Sequence, residues 1–236
     1  MARFITTDSF WELFPEAEIG IVTAKGVNTS VSDETAAQIR KDLDDSFVKC
    51  REYLGADVFS ENKVIAVWRE AFRKFKTKKG VRSSIEAMLK RVDKDNPVGS
   101  ITPLVDIYNA ISLSFALPCG GENIDKFEGD LLLTVAEGGE NFLALGDEEP
   151  APALPGEVIY KDDAGAVCRC WNWRDCQRTM LTDDTENAFL ILESVDSDRK
   201  EDLKAAVETL ADRLSSYLGA ETKTFFVDID DREIEI

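Results

Sequence analysis

The hydrophobic periodicity of the chain changes at Leu117-Pro118, and this change most constrains the fold. After one predicted strand, apolar residues upstream of this point recur at the spacing of amphipathic helices. Downstream of it, short apolar runs separated by Gly, Pro and Asp predict strands, then a last helix and strand. Because helices and strands are segregated and not arranged as repeated βαβ units, we predict an α+β fold. The predicted helices are 33–54, 61–75, 83–95, 102–115 and 199–218, and the predicted strands are 19–24, 131–135, 142–145, 158–160, 167–171, 188–194 and 222–227.

Capping residues mark the predicted helix starts. Asp33 is predicted to cap the first helix. Ser83 and Glu86 have the spacing of a capping box, in which each side chain binds the other's exposed backbone amide. Thr102-Pro103 predicts a cap followed by proline in the first turn.

The composition is that of an ordinary globular protein, with 236 residues, 44% hydrophobic and 31% charged. No run approaches the ~20 apolar residues needed to span a bilayer, so no membrane contact is expected. The N-terminal residues lack the apolar run of a secretory signal, which predicts a cytoplasmic location. Nothing indicates the oligomeric state.

The five cysteines are predicted to be free thiols in a reducing compartment. The spacing of Cys168, Cys170 and Cys176 suggests a metal site, but zinc usually takes four ligands. Without histidine, Cys119 or Cys50 would have to complete the set, and no second cysteine pair supports this. We therefore expect no metal.

The formal charge of −18 opposes binding of nucleic acid, whose affinity depends on neutralising phosphates. The charge is uneven, however: residues 69–94 hold ten basic side chains against three acidic ones. One basic face could still meet RNA, and a solvated cationic helix pair is an equally good interpretation. The candidate RNA-binding residues are Arg73, Lys74, Arg82, Lys90 and Arg91.

The chain contains no histidine, which excludes Ser-His-Asp and Cys-His catalytic arrangements. It also lacks a Gly-rich phosphate loop with a trailing lysine, so we expect no cofactor. The remaining candidates are polar residues beside apolar segments. Asp106, Tyr108 and Asn109 lie on the predicted helix 102–115, and an asparagine inside a helix beside an aspartate indicates a polar pocket. Alternatively, Asp106 and Asn109 tie the helix to the following loop.

That loop is predicted at Gly120-Gly121, followed by Glu122. Paired glycines allow a backbone to approach a ligand closely, although most such pairs form ordinary tight turns. Glu193 follows four apolar residues of a predicted strand, which places its carboxylate either at an exposed strand end or in the interior.

Aromatic and basic residues alternate near residue 171. Trp171 is assigned to the core, and Trp173, Arg174 and Arg178 to a ligand pocket. In the competing interpretation both tryptophans are core and Arg174 forms a salt bridge with Asp175.

Residues 103–193 resemble one known module almost from end to end. The motifs that carry the resemblance are Val105-Asp106 with Asn109, Leu117-Pro118-Cys119-Gly120-Gly121-Glu122-Asn123-Ile124-Asp125, Phe127-Glu128-Gly129-Asp130, Trp171-Asn172-Trp173-Arg174, Arg178-Thr179, Thr185-Glu186-Asn187-Ala188 and Leu192-Glu193. They resemble the editing module of the bacterial phenylalanyl-tRNA synthetase beta subunit, in the form found as free-standing proteins. At the position of the histidine in the synthetase motif, this chain has Gly120.

The resemblance implies a layered ββα sandwich with a helical N-terminal part. We expect a single domain, 1–236, in which residues 60–195 are most similar to the module. It also implies that Asn109 and Glu193 are catalytic, positioning water or the amino group of the substrate. By the same resemblance, Asp106, Tyr108, Gly120, Gly121 and Glu122 bind substrate, together with Trp173, Arg174 and Arg178.

The module hydrolyses wrongly charged tRNA, so the leading hypothesis is an aminoacyl-tRNA deacylase that uses a positioned water and contacts tRNA transiently. An ester needs only a positioned water and stabilisation of the developing oxyanion. Without an ATP-binding half, the chain is not a complete tRNA ligase. The alternative hypothesis is a non-catalytic module that binds a free amino acid or a related small molecule.

Overall fold

The computed structural model describes residues 2–236 of the chain. Within this part, helices and strands follow the segregated order that the sequence predicts, which confirms the α+β class. The helices are α1 (Asp8–Leu13), α2 (Asp33–Lys49), α3 (Lys63–Arg73), α4 (Ser84–Asp93), α5 (Pro103–Phe115) and α6 (Lys200–Leu218). The strands are β1 (Arg3–Thr6), β2 (Glu18–Lys25), β3 (Cys119–Asn123), β4 (Leu131–Val135), β5 (Val158–Asp162), β6 (Gly165–Arg169), β7 (Arg174–Asp175), β8 (Asn187–Ser194), β9 (Glu221–Val227) and β10 (Glu233–Glu235).

The strands form two sheets. Sheet A has the order β10-β1-β4-β5-β6-β7, and only its β1–β4 pair is parallel. Sheet B has the order β3-β8-β2-β9 and is antiparallel throughout. Strand β8 therefore lies inside sheet B, which explains why its sequence is apolar on both faces.

The two sheets pack face to face, and a helical layer covers the far side of sheet B. Phe4 on β1 meets Phe189 on β8 with ring centroids 5.4 Å apart, which joins the two sheets. Neighbouring residues on β8 point the opposite way, and Leu190 and Leu192 pack in a second core with Leu203 and Leu210 of α6. This arrangement is the predicted layered ββα sandwich.

Helices α1, α3 and α4 close one end of the space between the sheets. Trp171 is fully buried there. Its ring contacts Phe14 at 4.5 Å, Trp68 at 5.0 Å and Phe10 at 5.2 Å between centroids. The prediction that Trp171 belongs to the core is therefore confirmed. The backbone has φ = 64° at Trp171, so the chain turns sharply there and the predicted strand 167–171 ends at Arg169.

Two predicted local structures are wrong, and the sequence pattern misses several short elements. Gly120-Gly121 lie in strand β3 and not in a loop, because pairing with β8 overrides the weak strand preference of glycine. Residues 142–145 form no strand; Ala144 makes only an isolated bridge to Cys176. Periodicity also failed to predict α1, β1 and β10, which are too short to show a pattern.

Two predicted caps also differ from the structure. The hydroxyl of Ser32, and not Asp33, caps α2 by accepting the backbone N–H of Thr35. Ser83 caps α4 as predicted. Glu86 does not complete the capping box, because its carboxylate accepts two hydrogen bonds from Arg69, at 2.7 and 3.1 Å.

None of the helices in residues 2–236 combines the length and apolar character needed to cross a membrane.

Candidate functional site

A cavity of about 150 Å³ lies between the two sheets, beneath helices α4 and α5. Engineered cavities of about this volume hold a benzene-sized molecule. Aromatic rings and three carboxyl groups line it, and none of its lining residues in the described part of the chain is lysine or arginine. We call it the inter-sheet pocket. Its lining residues are Ser84, Met88, Tyr108, Asn109, Cys119, Gly120, Gly121, Glu122, Leu131, Tyr160, Val167, Cys168, Trp171, Asn172, Trp173, Asp175, Phe189, Ile191 and Glu193.

Strand register explains why the polar residues meet in this pocket. On sheet B, Gly120 lies opposite Ile191 and Glu122 lies opposite Phe189. Side chains of cross-strand partners point to the same face, so these residues share the inter-sheet face with Glu193.

Sheet A supplies the facing row. Tyr160 on β5 pairs with Cys168 on β6, and Cys168 pairs with Asp175 on β7. These three side chains therefore project from one face of sheet A toward sheet B.

Glu193 is the best-defined polar group of the pocket. Its carboxyl is 2% exposed, accepts a hydrogen bond from the hydroxyl of Tyr160, and accepts another from Nδ2 of Asn172 at 2.6 Å. Burial raises the pKa of Glu193 to about 7, although the hydrogen bonds from Tyr160 and Asn172 and the nearby indole N–H of Trp171 favour the ionised form. The carboxyl therefore exchanges a proton near neutral pH.

The indole N–H of Trp171 is also directed at this carboxyl. It has no hydrogen-bond partner of good geometry within the described chain. It lies close enough to Glu193 and Tyr160 to favour the carboxylate electrostatically. Its N–H is therefore available to a ligand in the pocket.

Glu122 is the second buried acid of the pocket. It is 6% exposed, and its Oε2 atom has no hydrogen-bond partner among the described residues. Burial raises the pKa of Glu122 well above its usual value, and the nearby Asp175 raises it further. Arg178 lowers this pKa slightly, but its guanidinium is bound to Asp162 at 2.6 Å.

Asp175 is the third acid of the pocket, and it is half-buried. Burial raises its pKa, while a hydrogen bond with Cys168 opposes the shift. Its charge raises the pKa values of both Glu122 and Glu193. Asp175 therefore favours the protonated form of both glutamates, and the described residues that line this cavity include no cationic side chain.

Gly120 leaves part of this space open. A Cβ atom at Gly120 would meet no atom within 4 Å, whereas one at Gly121 would come within 2.8 Å of Leu181 on the other face. The glycine at the position of the motif histidine therefore enlarges the pocket.

Helix α5 brings two of its three predicted residues to the pocket. Tyr108 and Asn109 line it, and Asn109 is 8% exposed. Asp106 does not reach it: its carboxylate accepts hydrogen bonds from the hydroxyl of Ser100 and from the backbone N–H of Ile101. Asp106 thus fixes the segment before α5.

Of the aromatic and basic residues that were predicted to line the pocket, the aromatic one does so and the two arginines do not. Trp173 lines the pocket, but Arg174 is directed away and binds Asp147 at 3.1 Å. The alternative salt bridge between Arg174 and Asp175 is therefore not formed. Arg178 also lies outside the lining, bound to Asp162 and to the backbone carbonyl of Lys126.

Sequence reasoning missed Tyr160, Asn172 and Asp175 as pocket residues. Asn172 is in the quoted Trp-Asn-Trp motif, which was the one available signal. The strand pairing that places Tyr160 and Asp175 on one face has no local signature in the sequence.

The cysteines are all buried and free. Within residues 2–236, no cluster of three or more His, Cys, Asp or Glu side chains has the arrangement of a metal site.

A second cavity lies open to solvent between α3 and α4, with a volume of about 400 Å³. We call it the basic groove, defined by Arg69, Arg73, Arg82 and Lys90. Among the described residues that line it, Glu86 is the only acid, and Arg69 binds that carboxylate.

The basic groove contains some of the predicted RNA-binding residues and not others. Arg73, Arg82 and Lys90 line it. Lys74 lies elsewhere, over the ring of Phe14, and Arg91 donates to the carbonyl of Pro97.

The groove and the inter-sheet pocket are neighbours. Ser83 lines the groove and the next residue, Ser84, lines the pocket. The backbone N–H of Ser84 donates to the side chain of Asn172 at 3.2 Å, so the start of α4 forms the wall between the two spaces.

A family model described as the B3/4 domain matches residues 67–217. No curated protein gives a significant sequence match. Among solved structures, the chain is similar to an N-terminal fragment of the phenylalanyl-tRNA synthetase beta subunit from Pyrococcus horikoshii. The two share 13% sequence identity with a TM-score of 0.49 over 93% of this chain, which spans 49% of the fragment.

Proposed function

The chain belongs to the B3/4 domain family, and we propose that its inter-sheet pocket binds the aminoacyl group of wrongly charged tRNA and hydrolyses the ester. The observation that carries this proposal is Glu193, whose buried carboxyl has a pKa of about 7 inside an aromatic-lined cavity. A general base is most effective when its pKa lies near the working pH. No histidine is needed for this chemistry.

In the proposed reaction, ionised Glu193 takes a proton from a water as that water attacks the ester carbonyl. A tetrahedral intermediate forms, the bond to the ribose oxygen breaks, and the proton passes to the departing hydroxyl of the tRNA. The N–H of Trp171 is free to donate to the developing oxyanion, where a positioned donor contributes most. Tyr160 and Asn172 hold the carboxyl in place.

The sequence-derived roles of Asn109 and of the Gly120-Gly121 backbone amides stay predictions. Asn109 faces the same cavity as Glu193, which is compatible with positioning water or substrate. Strand β3 places both glycines in the pocket lining.

The basic groove is the proposed contact for the tRNA end. It lies beside the pocket, and its cationic side chains match a phosphate backbone in charge. The formal charge of −18 makes the rest of the surface repel RNA, so we expect a transient, salt-sensitive complex.

The test is release of amino acid from a panel of mischarged tRNAs. We expect Glu193→Gln to lower the rate by about 10²–10⁴-fold, the usual contribution of a general base. Glu208→Gln, on the exposed side of α6, is the matched control and should keep the full rate. Equal rates for the wild type and Glu193→Gln on every tRNA would exclude the proposed mechanism.

A second candidate function is binding of a free amino acid without hydrolysis, and the charge of −18 favours it because it weakens RNA contact. Thermal-shift measurements with free amino acids separate the two functions, since a ligand that binds the folded state raises the melting temperature. A clear shift without deacylation of any tRNA supports the second candidate. Deacylation that depends on Glu193 supports the first.

A further inference from the structure

Glu122 is a buried acid that has no role in the proposed hydrolysis. Its carboxyl is enclosed in the pocket, on the same face of sheet B as Glu193, and one of its oxygens has no partner. An unpaired buried acceptor costs free energy, and in native proteins most such groups are paired. The free oxygen therefore indicates a donor that arrives with the ligand.

We propose that the pocket selects an amino acid whose side chain ends in a protonated amine, and that Glu122 binds this amine. The inference rests on the proposed function, because it names the substrate class of the same pocket. It concerns specificity and assigns Glu122 no part in the proton transfer.

The charges of the pocket support a ligand with two cationic ends. Three carboxyl groups line the cavity, without a lysine or arginine among the lining residues. The α-ammonium group of an aminoacyl ester would satisfy one carboxylate, and Asp175 and Glu193 both line the cavity with Glu122. A side-chain ammonium would then pair with Glu122, and such charge-assisted hydrogen bonds are the strong ones.

Arg178 is the one cation that acts on Glu122 from outside the lining. Its guanidinium donates to Asp162 and to the carbonyl of Lys126, so it is already bound. It therefore does not replace a ligand cation at the free oxygen of Glu122.

The pocket walls also suit a long side chain with a cationic end. The rings of Tyr108 and Trp173 line the cavity, and aromatic faces attract ammonium groups. Glu122 lies opposite Phe189, and Glu193 lies four positions further along β8. At ~3.3 Å per residue the Cα atoms of the two acids are separated by ~13 Å along the sheet. A long side chain of the lysine or ornithine class therefore suits this separation better than a short one.

The test compares free L-lysine with L-norleucine, which has the same carbon chain without the terminal amine. Isothermal titration calorimetry of the full chain should show lysine binding about tenfold to a hundredfold more tightly, as expected for a hydrogen bond to a charged group. Glu122→Gln should remove this preference by weakening lysine and leaving norleucine unchanged. Lysine should also release protons from the carboxyl cluster, measured by titration in buffers of different ionisation enthalpy.

Norleucine, phenylalanine or tyrosine binding as tightly as lysine to the wild type would overturn the proposal, as would an unchanged preference in Glu122→Gln. The wild-type comparison alone decides the matter if the variant does not fold. Failure of this proposal is distinguishable from failure of the hydrolysis: deacylation that depends on Glu193 but is confined to aromatic or aliphatic aminoacyl-tRNAs would remove the side-chain assignment and leave the hydrolase.

Discussion

Buried acids lie on both sides of strand β6, and they differ in whether a cation of the chain pairs with them. On the outer face, Glu157 is completely buried and accepts hydrogen bonds from Arg169, with Nε at 2.8 Å. On the inner face, Cys168 lines the inter-sheet pocket with Glu122, Asp175 and Glu193. The described residues that line this pocket include no lysine or arginine. Glu157, Glu122 and Glu193 are all buried, and of these three Glu157 alone forms a salt bridge within the described chain.

This difference teaches which buried charges have a structural role. A buried ion pair satisfies both partners and holds the loop before β5 against sheet A, through Arg169 and the carbonyl of Ala151. A buried acid without a cation stores an unfavourable free energy, and such perturbed groups cluster at functional sites. Burial alone would not have separated Glu157 from Glu193.

Breaking the outer ion pair should have the largest effect on stability. Arg169→Met leaves Glu157 as an uncompensated buried charge, so we expect the free energy of unfolding to fall by roughly 3–5 kcal/mol. Urea denaturation measures this value. The control is Glu157→Leu with Arg169→Met, which removes both charges and should recover much of the loss. If the single variant is as stable as the double variant, the pair is not the structural element described here.

In the inter-sheet pocket, the buried carboxyl of Glu193 should make the free energy of unfolding depend on pH. The pKa of Glu193 is about 7 in the folded protein against 4.5 ordinarily, so between these values the folded state binds more protons than the unfolded chain. The stability therefore falls as pH rises through this window. Above pH 7 the ionised Glu193 costs roughly 3 kcal/mol.

Glu193→Gln should remove this dependence and be more stable than the wild type above pH 7, with little difference near pH 4.5. Denaturation curves across this pH range check the difference between the two proteins. Glu122 and Asp175 shift the wild type in the same direction, and both remain in the variant, so the difference isolates Glu193. Parallel stability curves would show that Glu193 has an ordinary pKa.

The same comparison shows what the sequence could predict. Helix α5 and strand β4 match the predicted bounds, because a Thr-Pro start and a compact β-branched or leucine run are local signals. The resemblance added the layered sandwich and is confirmed by the B3/4 match. The apolar strand before Glu193 draws attention to this residue, but nothing local in the sequence shows that its carboxyl is buried, and its catalytic role stays a prediction.

The remainder of the site depends on strand register and on contacts that the sequence pattern does not show. Asp175 and Tyr160 reach the pocket through the β5–β6–β7 register, which includes a shift between Tyr160 and Lys161. Arg174 and Arg178 were assigned to the pocket on residue type. Their partners Asp147 and Asp162 come from the loop after β4 and from the end of β5, and no short-range pattern connects them.

Substitutions of Gly120 and Gly121 test whether β3 is open on its pocket side and tightly packed on its other side. Gly121→Ala places a Cβ atom 2.8 Å from Leu181 and 3.3 Å from Leu190, so overpacking should destabilise the protein by about 1–3 kcal/mol. Gly120→Ala meets no atom within 4 Å, and loss of glycine flexibility should stabilise it by about 0.4–1 kcal/mol. Thermal denaturation of both variants measures the signs. The same sign for both would mean that the pocket is not open at Gly120.

The smallest effect on stability is expected in the basic groove, where the charges are in contact with solvent. Arg82→Glu with Lys90→Glu should lower the free energy of unfolding by no more than about 1 kcal/mol, because both side chains are half-buried and Lys90 lies over the ring of Phe59. Binding of tRNA should weaken, and the slope of log affinity against log salt should become shallower by about 1.4–1.8 if both residues contact phosphates. Fluorescence anisotropy over a range of salt concentrations gives both quantities.

Lys204→Glu with Lys223→Glu makes the same change in net charge on exposed positions of α6 and β9, away from the groove. An equal loss of affinity in this control would mean that RNA senses only the overall charge of −18, and the groove would then lose its assignment as the docking surface.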